Sequence, residues 1–341
     1  MSEKPTVILA GKASIRRREL MQSFMTTDWN IVSCDMKAEP DRFMELLMDA
    51  DVVVGGGKFP QPVPKGSRLK LYHIPFTGYD WITPDDLPET VAFHNTHEHE
   101  TTIAEHIMLG MLEFQIGLMR NSDRFMRRNS WGDRYMNPTS THFELRGATV
   151  GIVGYGHIGR EVARRAKAFG MKVLAVSRTV RDEGNLVDWY GTTAELNKLC
   201  QESDFIVVAA PLDDTTRSMI DREQFELMRE QAVIVNVGRG EVIDETALYR
   251  ALSTNRIRGA VIDVWYRYPN GGDGGPRDGV MNPWPSRYPF HKLPNVIMSP
   301  HNSAWTEEMF TRRWGFVARQ LDRFANGEAL ENFCFRGTAA P

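Results

Sequence analysis

The sequence has 341 residues, 42% of them hydrophobic, which is enough for two domains with separate cores. Its formal net charge of −3, with acidic and basic residues interspersed, argues against nucleic acid as a partner and favours a small-molecule ligand. The cysteines, Cys34, Cys200 and Cys334, lie far apart and match no metal-ligand spacing, so we predict a reducing, cytoplasmic location and no metal. We expect neither a signal peptide nor a membrane span, because no window approaches about 20 consecutive apolar residues.

Short apolar runs recur through the first third of the chain, separated by charged segments with helical spacing. The runs are TVILA, NIVSC, ADVVVGG, LKLYHI and TVAFHN. This alternation predicts a parallel sheet with crossover helices. A long amphipathic helix is expected to start near Thr101 and to connect two domains.

A second series of apolar runs follows: ATVGIVG, KVLAVSR, SDFIVVAAP, AVIVNVG, GAVIDVW and NVIMSP. Six strands with intervening helices predict a full doubly wound sheet. The last amphipathic stretch, 307–326, is expected to return to the first domain. The Gly/Pro-rich stretch at 270–288 is either a lid or an inert surface loop.

We therefore predict an α/β protein with two doubly wound parallel-sheet domains and a cleft between them. The flavodoxin-like substrate domain would comprise residues 1–110 and 305–341, and the Rossmann-type dinucleotide-binding domain residues 111–304.

Three glycines, Gly154, Gly156 and Gly159, form a G-x-G-x-x-G pattern directly after a predicted strand and at the start of a predicted helix. The first glycine permits a tight turn, the second lets a pyrophosphate approach the backbone, and the third lets the helix lie close to the strand. A glycine-rich turn without a ligand is the alternative, and the strand and helix around the pattern favour the dinucleotide site.

Polar residues end the next predicted strand, where NAD-binding domains usually carry an acid for the ribose hydroxyls. Here the residues are Ser177, Arg178 and Thr179, with Arg181 nearby. A guanidinium and hydroxyl groups suit the 2′-phosphate of NADPH. The alternative is that Arg178 is a solvated surface residue and that NAD is bound through other groups.

Two further strand ends carry residues suited to acid chemistry. Arg239 stands between two glycines in NVGRGEV, where a bidentate guanidinium could bind a carboxylate. His301 follows a proline in MSPHNSAW and could transfer a proton to or from a substrate hydroxyl. Each residue alone could be an ordinary surface charge or turn residue, but both at strand ends of one dinucleotide fold favour a catalytic role.

These residues lie in a series of motifs that resembles the D-isomer-specific 2-hydroxyacid dehydrogenase family over nearly the whole chain. The motifs are TGYDWI, NTHEHETTIAEH, LRGATVGIVGYGHIGREVA, AAPLDDTTRSMID, NVGRGEVIDETAL, GAVIDVW and NVIMSPHNSAWT. The resemblance implies that Arg239 holds the substrate carboxylate and that His301 is the acid/base. The SRT tail is similar to that of glyoxylate and hydroxypyruvate reductases that use NADPH, and the family suggests a homodimer.

The resemblance also implies the remaining site residues. Asp263 would meet the nicotinamide amide, and the substrate pocket would be lined by Gly57, Lys58, Thr77 and Gly78. Further cofactor contacts would come from His157, Ile158, Pro211, Thr216, Val237 and Ser303.

One position departs from the family pattern. The family has a glutamate that hydrogen-bonds the histidine, and Tyr268 stands at its place in DVWYRYP. A neutral phenol can orient the imidazole but cannot stabilise its charge. Glu98 or Glu100 could replace the missing acid, although HEHE is more simply a polar loop, and a zinc site at His97 and His99 lacks a third ligand.

Two functions remain open at this stage. The first is NAD(P)H-dependent interconversion of a small 2-oxo acid and its D-2-hydroxy acid, with reduction as the expected direction, for which the retained Arg239 and His301 argue. The second is a dinucleotide-binding regulator or sensor with weak or no turnover, for which Tyr268 argues.

Overall fold

The computed structural model describes residues 4–129, 131, 135–138, 141–180, 184–269 and 284–339. The chain divides into two compact units, one made of Met1–His99 with Trp305–Pro341 and the other of Glu100–Ala304. In the part of the chain that is described, no helix combines the length and apolar character needed to cross a membrane.

The described residues contain thirteen strands, numbered in chain order, which form one sheet in each unit. They are β1 (Thr6–Ala10), β2 (Asn30–Cys34), β3 (Val52–Gly55), β4 (Leu71–His73), β5 (Ala92–His94), β6 (Thr149–Val153), β7 (Lys172–Ser177), β8 (Trp189–Thr192), β9 (Phe205–Val208), β10 (Val233–Asn236), β11 (Gly259–Ile262), β12 (Val296–Met298) and β13 (Phe333–Arg336).

Ten α-helices connect and cover these strands in the described residues. They are α1 (Lys12–Arg16), α2 (Arg18–Gln22), α3 (Pro40–Leu46), α4 (Glu100–Ile116), α5 (Arg124–Asn129), α6 (His157–Ala168), α7 (Leu196–Glu202), α8 (Arg222–Leu227), α9 (Glu245–Ser253) and α10 (Glu307–Ala325). A π-helical turn, Leu118–Asp123, leads into α5.

The first unit has a six-stranded sheet in the order β13-β5-β4-β3-β1-β2. All neighbours are parallel except β13, which pairs antiparallel with β5. Both faces of the sheet are buried, which explains the continuous apolar runs. Along β1, Val7 and Leu9 pack with residues of α10, whereas Ile8 packs with Phe43 of α3 on the opposite face.

The second unit has a seven-stranded parallel sheet in the order β12-β11-β10-β9-β6-β7-β8. The chain direction across the sheet reverses at β6, which lies between β7 and β9, and in such sheets ligands bind at the carboxyl ends of the strands beside this reversal. The predicted fold class of two parallel α/β sheets is confirmed. The edge strands β8 and β13 were not among the predicted strands.

The helix α4 lies wholly within the second unit. The domain boundary predicted between residues 110 and 111 therefore falls inside this helix. The reason is packing, because Ile103 and Ile107 of α4 join the core cluster that contains Val150 of β6 and Val162 of α6. The predicted Gly/Pro-rich loop lies outside the described residues from 270 to 283, as does Arg181.

Candidate active site

The turn between β6 and α6 is shaped by its three glycines. Gly154 has a φ of +94°, a conformation that strongly favours glycine. A Cβ on Gly159 would lie 2.8 Å from the carbonyl oxygen of Gly154, so only glycine lets α6 approach the strand this closely. A Cβ on Gly156 would meet no atom within 4 Å, because this position faces open space.

The start of α6 is suited to an anion. Gly156 occupies the N-cap position, no side chain caps the helix, and no acidic residue lies in its first turn. The first backbone N–H groups of a helix have no acceptor within the helix, and the helix dipole adds partial positive charge at this end. Open space at Gly156 beside these donors fits the pyrophosphate of a dinucleotide.

The end of β7 provides the predicted ribose-binding residues. The Ser177 hydroxyl lies 2.7 Å from the Tyr190 hydroxyl and donates to the carbonyl of Thr179 at 2.8 Å. The Arg178 side chain is 71% exposed, and its Nη1 lies 3.5 Å from Oδ2 of Asp213. The structure therefore holds Arg178 only loosely, by one surface ion pair.

Asp213, which was not predicted, stands opposite this guanidinium. Its pKa is lowered, first by the hydrogen bond from the Thr215 hydroxyl and also by backbone N–H donors and Arg178. The same loop contains the predicted residues Pro211 and Thr216, and the Thr216 hydroxyl donates to the Pro211 carbonyl at 2.7 Å. Only the three-dimensional fold brings this loop beside the end of β7.

Arg239 is fixed at the end of β10 by its neighbours. A Cβ on Gly238 would come within 2.5 Å of the Ala210 carbonyl oxygen, and one on Gly240 within 2.4 Å of the Trp265 carbonyl oxygen. The backbone at Arg239 therefore lies close to the ends of β9 and β11, and its guanidinium is half-buried beyond the sheet edge. The predicted residue Val237, directly after β10, is only 6% exposed.

His301 lies in the turn that follows β12, with a φ of +54°. Burial lowers the pKa of its imidazole, the Arg239 charge lowers it further, and the Asp263 carboxylate acts in the opposite direction. Among the described residues, none makes a hydrogen bond to the imidazole. Gly240, next to Arg239, lies against the backbone of Trp265, and the Tyr268 ring lies 5.4 Å from that of His301, so both predicted residues adjoin the segment 265–268.

Tyr268 contacts His301 through its ring rather than its hydroxyl. The two ring centroids are 5.4 Å apart, and the phenol oxygen instead accepts the backbone N–H of Trp265 at 2.9 Å. Burial raises the pKa of Tyr268 to about 12, so the phenol stays neutral. Its predicted orienting contribution is thus limited to packing against the imidazole.

Asp263 is buried beneath the His301 turn. Its carboxylate accepts hydrogen bonds from Ser299, Asn302 and Ser303, which lie on both sides of His301 in the sequence. Ser299 and Asn302 were not predicted as site residues, although both lie within the motif that carries the histidine.

The predicted substrate residues of the first unit fall into two groups. Thr77, next to Gly78, donates its hydroxyl to the Thr96 carbonyl at 2.7 Å and lies 3.4–3.5 Å from ring nitrogens of His97 and His99. The sequence assigned these two histidines only to a polar loop or to an incomplete zinc site. In the structure their imidazoles lie beside Thr77, a predicted substrate residue.

The second group is Gly57 and Lys58. The Gly57 carbonyl accepts from the Tyr72 hydroxyl at 2.6 Å, and the Lys58 ammonium lies 3.0 Å from Oδ1 of Asp86 at the surface. The pKa of Asp86 is lowered because hydrogen bonds from Thr83 and Lys58 outweigh the effect of burial.

The two candidate replacement acids differ in their surroundings. Glu98 lies 3.7 Å from Arg312 within the first unit, whereas Glu100 begins α4 in the second. The ion pair with Arg312 already neutralises Glu98. In the described parts of the chain, no three or more His, Cys, Asp or Glu side chains are grouped to hold a metal ion.

Comparisons with known proteins agree with this architecture. Residues 111–303 match the family model "D-isomer specific 2-hydroxyacid dehydrogenase, NAD binding domain". The chain is 32% identical over 296 residues to D-3-phosphoglycerate dehydrogenase of Methanocaldococcus jannaschii, covering 86% of this chain and 53% of that protein. It thus spans about half the length of that relative. It is also 30% identical to glyoxylate reductase of Pyrococcus furiosus, covering 84% of this chain and 83% of the relative.

Solved structures share the fold over almost the full length. A D-isomer specific 2-hydroxyacid dehydrogenase family protein from Aeromonas salmonicida has a TM-score of 0.77 at 24% identity, covering 98% of this chain and 99% of that one. An NADPH-dependent glyoxylate/hydroxypyruvate reductase from Sinorhizobium meliloti has a TM-score of 0.74 at 23% identity, covering 97% and 98%. The chain therefore belongs to the D-isomer specific 2-hydroxyacid dehydrogenase family.

Proposed function

We propose that the protein is an NADPH-dependent reductase that converts a small 2-oxo acid into its D-2-hydroxy acid. The observation that carries the proposal is that Arg239 and His301, at the carboxyl ends of strands in one sheet, both adjoin the segment 265–268. A carboxylate clamp beside a proton donor is what reduction of a 2-oxo acid needs.

Each residue has a defined part in this reaction. Arg239 binds the substrate carboxylate, which holds C2 in a fixed position. Protonated His301 donates its proton to the C2 carbonyl oxygen, and the reverse reaction takes the proton back. A nicotinamide dinucleotide held at the glycine-rich turn would supply the hydride. The family resemblance assigns Thr77 and Gly78 of the first unit to substrate binding as well.

The proposed size of the substrate is based on the names of similar proteins and not on the geometry of the site. The glyoxylate reductase of Pyrococcus furiosus is similar over most of both chains, which supports a short 2-oxo acid. A panel of glyoxylate, hydroxypyruvate, phenylpyruvate and phosphonated analogues, followed by nicotinamide absorbance, tests the proposal. Tight cofactor binding without turnover of any member would favour the alternative, a dinucleotide-binding regulator.

The residues at the end of β7 support a preference for NADPH over NADH. An acid at this place would repel the 2′-phosphate, whereas this chain has Arg178 and the hydroxyls of Ser177 and Thr179. We expect Arg178→Ala to weaken NADPH binding by about one to two decades and to leave NADH binding nearly unchanged, because a charge-assisted contact contributes roughly 1.5–3 kcal/mol. Titration of both cofactors by fluorescence measures the two affinities.

A matched control for this variant is Arg222→Ala, which removes an equally exposed arginine, 73% exposed, from α8. The control should keep the wild-type preference. Equal affinity of the wild-type protein for NADPH and NADH would contradict the assignment to NADPH.

The pH dependence of reduction tests the role of Tyr268. Reduction needs protonated His301, so its rate falls as pH rises through the histidine pKa, which burial and Arg239 already lower. Tyr268→Glu places a carboxylate beside the imidazole, which should raise the histidine pKa. We therefore expect the falling limb of the pH–rate profile to move to higher pH. Initial rates of reduction, measured across the pH range, give the pH at which this limb falls.

Tyr268→Phe is the control for that experiment. It removes the hydroxyl that accepts the Trp265 N–H but keeps the ring against His301, so its limb should match the wild type. A folded, active Tyr268→Glu protein with an unchanged limb would show that position 268 does not influence the histidine charge.

A homodimer is also part of the proposal. Exposed apolar side chains recur on α4, the π-helical turn, α5 and the segments that follow, which is typical of an interface rather than of scattered surface residues. They are Leu109, Leu118, Met119, Met126, Trp131, Tyr135, Met136 and Phe143. Light scattering should give the mass of a dimer, and a monomer mass would refute this part.

A further inference from the structure

Two loops at the carboxyl edge of the second sheet bring opposite charges together. Strand β6 lies between β7 and β9, and all three are parallel, so the loops that follow β7 and β9 leave the same edge on either side of the glycine-rich turn. Arg178 lies in the first loop and Asp213 in the second, and Nη1 of the arginine is 3.5 Å from Oδ2 of the aspartate. The ion pair therefore joins the two loops that flank the proposed pyrophosphate site.

The two partners of this ion pair are held to different degrees. Oδ1 of Asp213 accepts the Thr215 backbone N–H at 2.9 Å, the Thr215 hydroxyl at 2.6 Å and the Thr216 backbone N–H at 3.1 Å. The Asp213 side chain is 35% exposed and that of Arg178 is 71% exposed. The carboxylate is thus fixed by its own loop, whereas the guanidinium lies mostly in solvent, where a long side chain changes rotamer readily.

The Asp213 carboxylate carries its charge at neutral pH. Its pKa is lowered, first by the hydrogen bond from the Thr215 hydroxyl and also by the Thr215 backbone N–H and the Arg178 charge. The 2′-phosphate of NADPH is negative as well and would need the same guanidinium. Asp213 would therefore compete with the phosphate for Arg178 and repel it, since like charges close together oppose each other. NADH has no 2′-phosphate and is subject to neither effect.

We propose that Asp213 is a specificity-determining residue, whose carboxylate limits the preference for NADPH over NADH by holding the Arg178 guanidinium. The inference rests on the proposed function only in making Arg178 the partner of the 2′-phosphate. Specificity is a difference between two affinities, so a group that opposes one ligand changes it as effectively as a group that favours the other. Position 213 thus sets how strongly Arg178 selects NADPH, although it belongs to a different loop.

Two substitutions remove the charge at position 213. Asp213→Asn keeps an oxygen that can accept the N–H groups of Thr215 and Thr216, and Asp213→Ser supplies a hydroxyl to the same turn if the first variant does not fold. Asp214→Asn is the matched control, because Asp214 is the next residue of the same loop, is exposed and loses the same charge.

Fluorescence titration of NADPH and NADH at low ionic strength measures the effect. We expect either variant at position 213 to bind NADPH about three- to tenfold more tightly than the wild type, because a surface ion pair no longer has to be broken and a like charge is gone. The affinity for NADH should stay within about twofold, as should both affinities of the Asp214→Asn control. A role limited to shaping the loop would instead weaken the binding of both cofactors.

A double-mutant cycle with Arg178→Ala shows whether Asp213 acts through the arginine. In the Arg178→Ala background, Asp213→Asn should change NADPH affinity by less than about twofold, because the competition for the guanidinium no longer exists. An equal gain in that background would contradict the inference. Added salt should also reduce the gain in the single variant, because salt screens charges at the surface.

Three further results would overturn the inference. Unchanged or weaker NADPH binding in both variants at position 213, while Arg178→Ala still loses affinity, would exclude competition by Asp213 and leave the proposed function standing. Equal gains for NADPH and NADH would show that Asp213 opposes dinucleotides in general and does not select between them. If neither Arg178→Ala nor the variants at position 213 changed NADPH binding, the assignment to NADPH would fail and the inference would fail with it.

Discussion

Arg239→Ala should abolish most reduction of 2-oxo acids while cofactor affinity stays nearly unchanged. Removing one partner of a hydrogen-bonded charge pair typically costs about 2–5 kcal/mol, which is roughly thirtyfold to several-thousandfold in kcat/KM. Steady-state kinetics on the substrate identified by the panel, together with a separate cofactor titration, measures both quantities.

The His301 pKa gives a second readout for the same variant. The Arg239 charge lowers that pKa, so it should rise when the arginine is removed. Arg239→Lys keeps a charge but loses the bidentate geometry and should recover only part of the activity. Near-normal kcat/KM in Arg239→Ala would make Arg239 a structural residue of the β10 turn.

His301→Asn should lower kcat by about 10² to 10⁴-fold, which is the usual contribution of a general acid. Asparagine is the suitable replacement, because it tolerates the positive φ at this position better than most residues and so preserves the turn. We expect KM to change little, because Arg239 still binds the carboxylate, and the residual rate should lose the falling limb at high pH.

The control for this variant is His291→Asn, which alters an exposed histidine stacked on Trp284. It should leave kcat and the pH profile unchanged. A His301→Asn protein that retains wild-type kcat would exclude His301 as the proton donor and would require another donor for the carbonyl oxygen.

The sequence was sufficient to predict the parallel strands, because strands buried on both faces leave continuous apolar runs. It failed for β8 and β13, which lie at sheet edges. The β8 segment, WYGT, is short and partly exposed and contains Gly191, and β13 has two partly buried residues between two exposed ones. Neither segment carries the continuous apolar run on which the other predictions relied.

The candidate site was predictable as a set of residues but not as a set of contacts. The strand ends predicted Arg239 and His301 as site residues, and the family resemblance added Asp263. The hydrogen bonds of Asp263 depend on the register between β11 and β12, and the contact of Tyr268 depends on a turn that brings its hydroxyl back to Trp265. Such contacts come from tertiary geometry, which has no signature in the spacing of the residues.

The discontinuity of the first unit has a consequence for synthesis on the ribosome. Asp322 accepts hydrogen bonds from Thr26 and Thr27 across 296 and 295 residues, so this anchor closes only after Asp322 has been synthesised. Until α10 and β13 emerge, one face of β1 and β3 and the edge of β5 lack their partners. An apolar surface with an open strand edge invites association between chains. The nascent N-terminal segment is therefore the part of this protein with the greatest need of a chaperone.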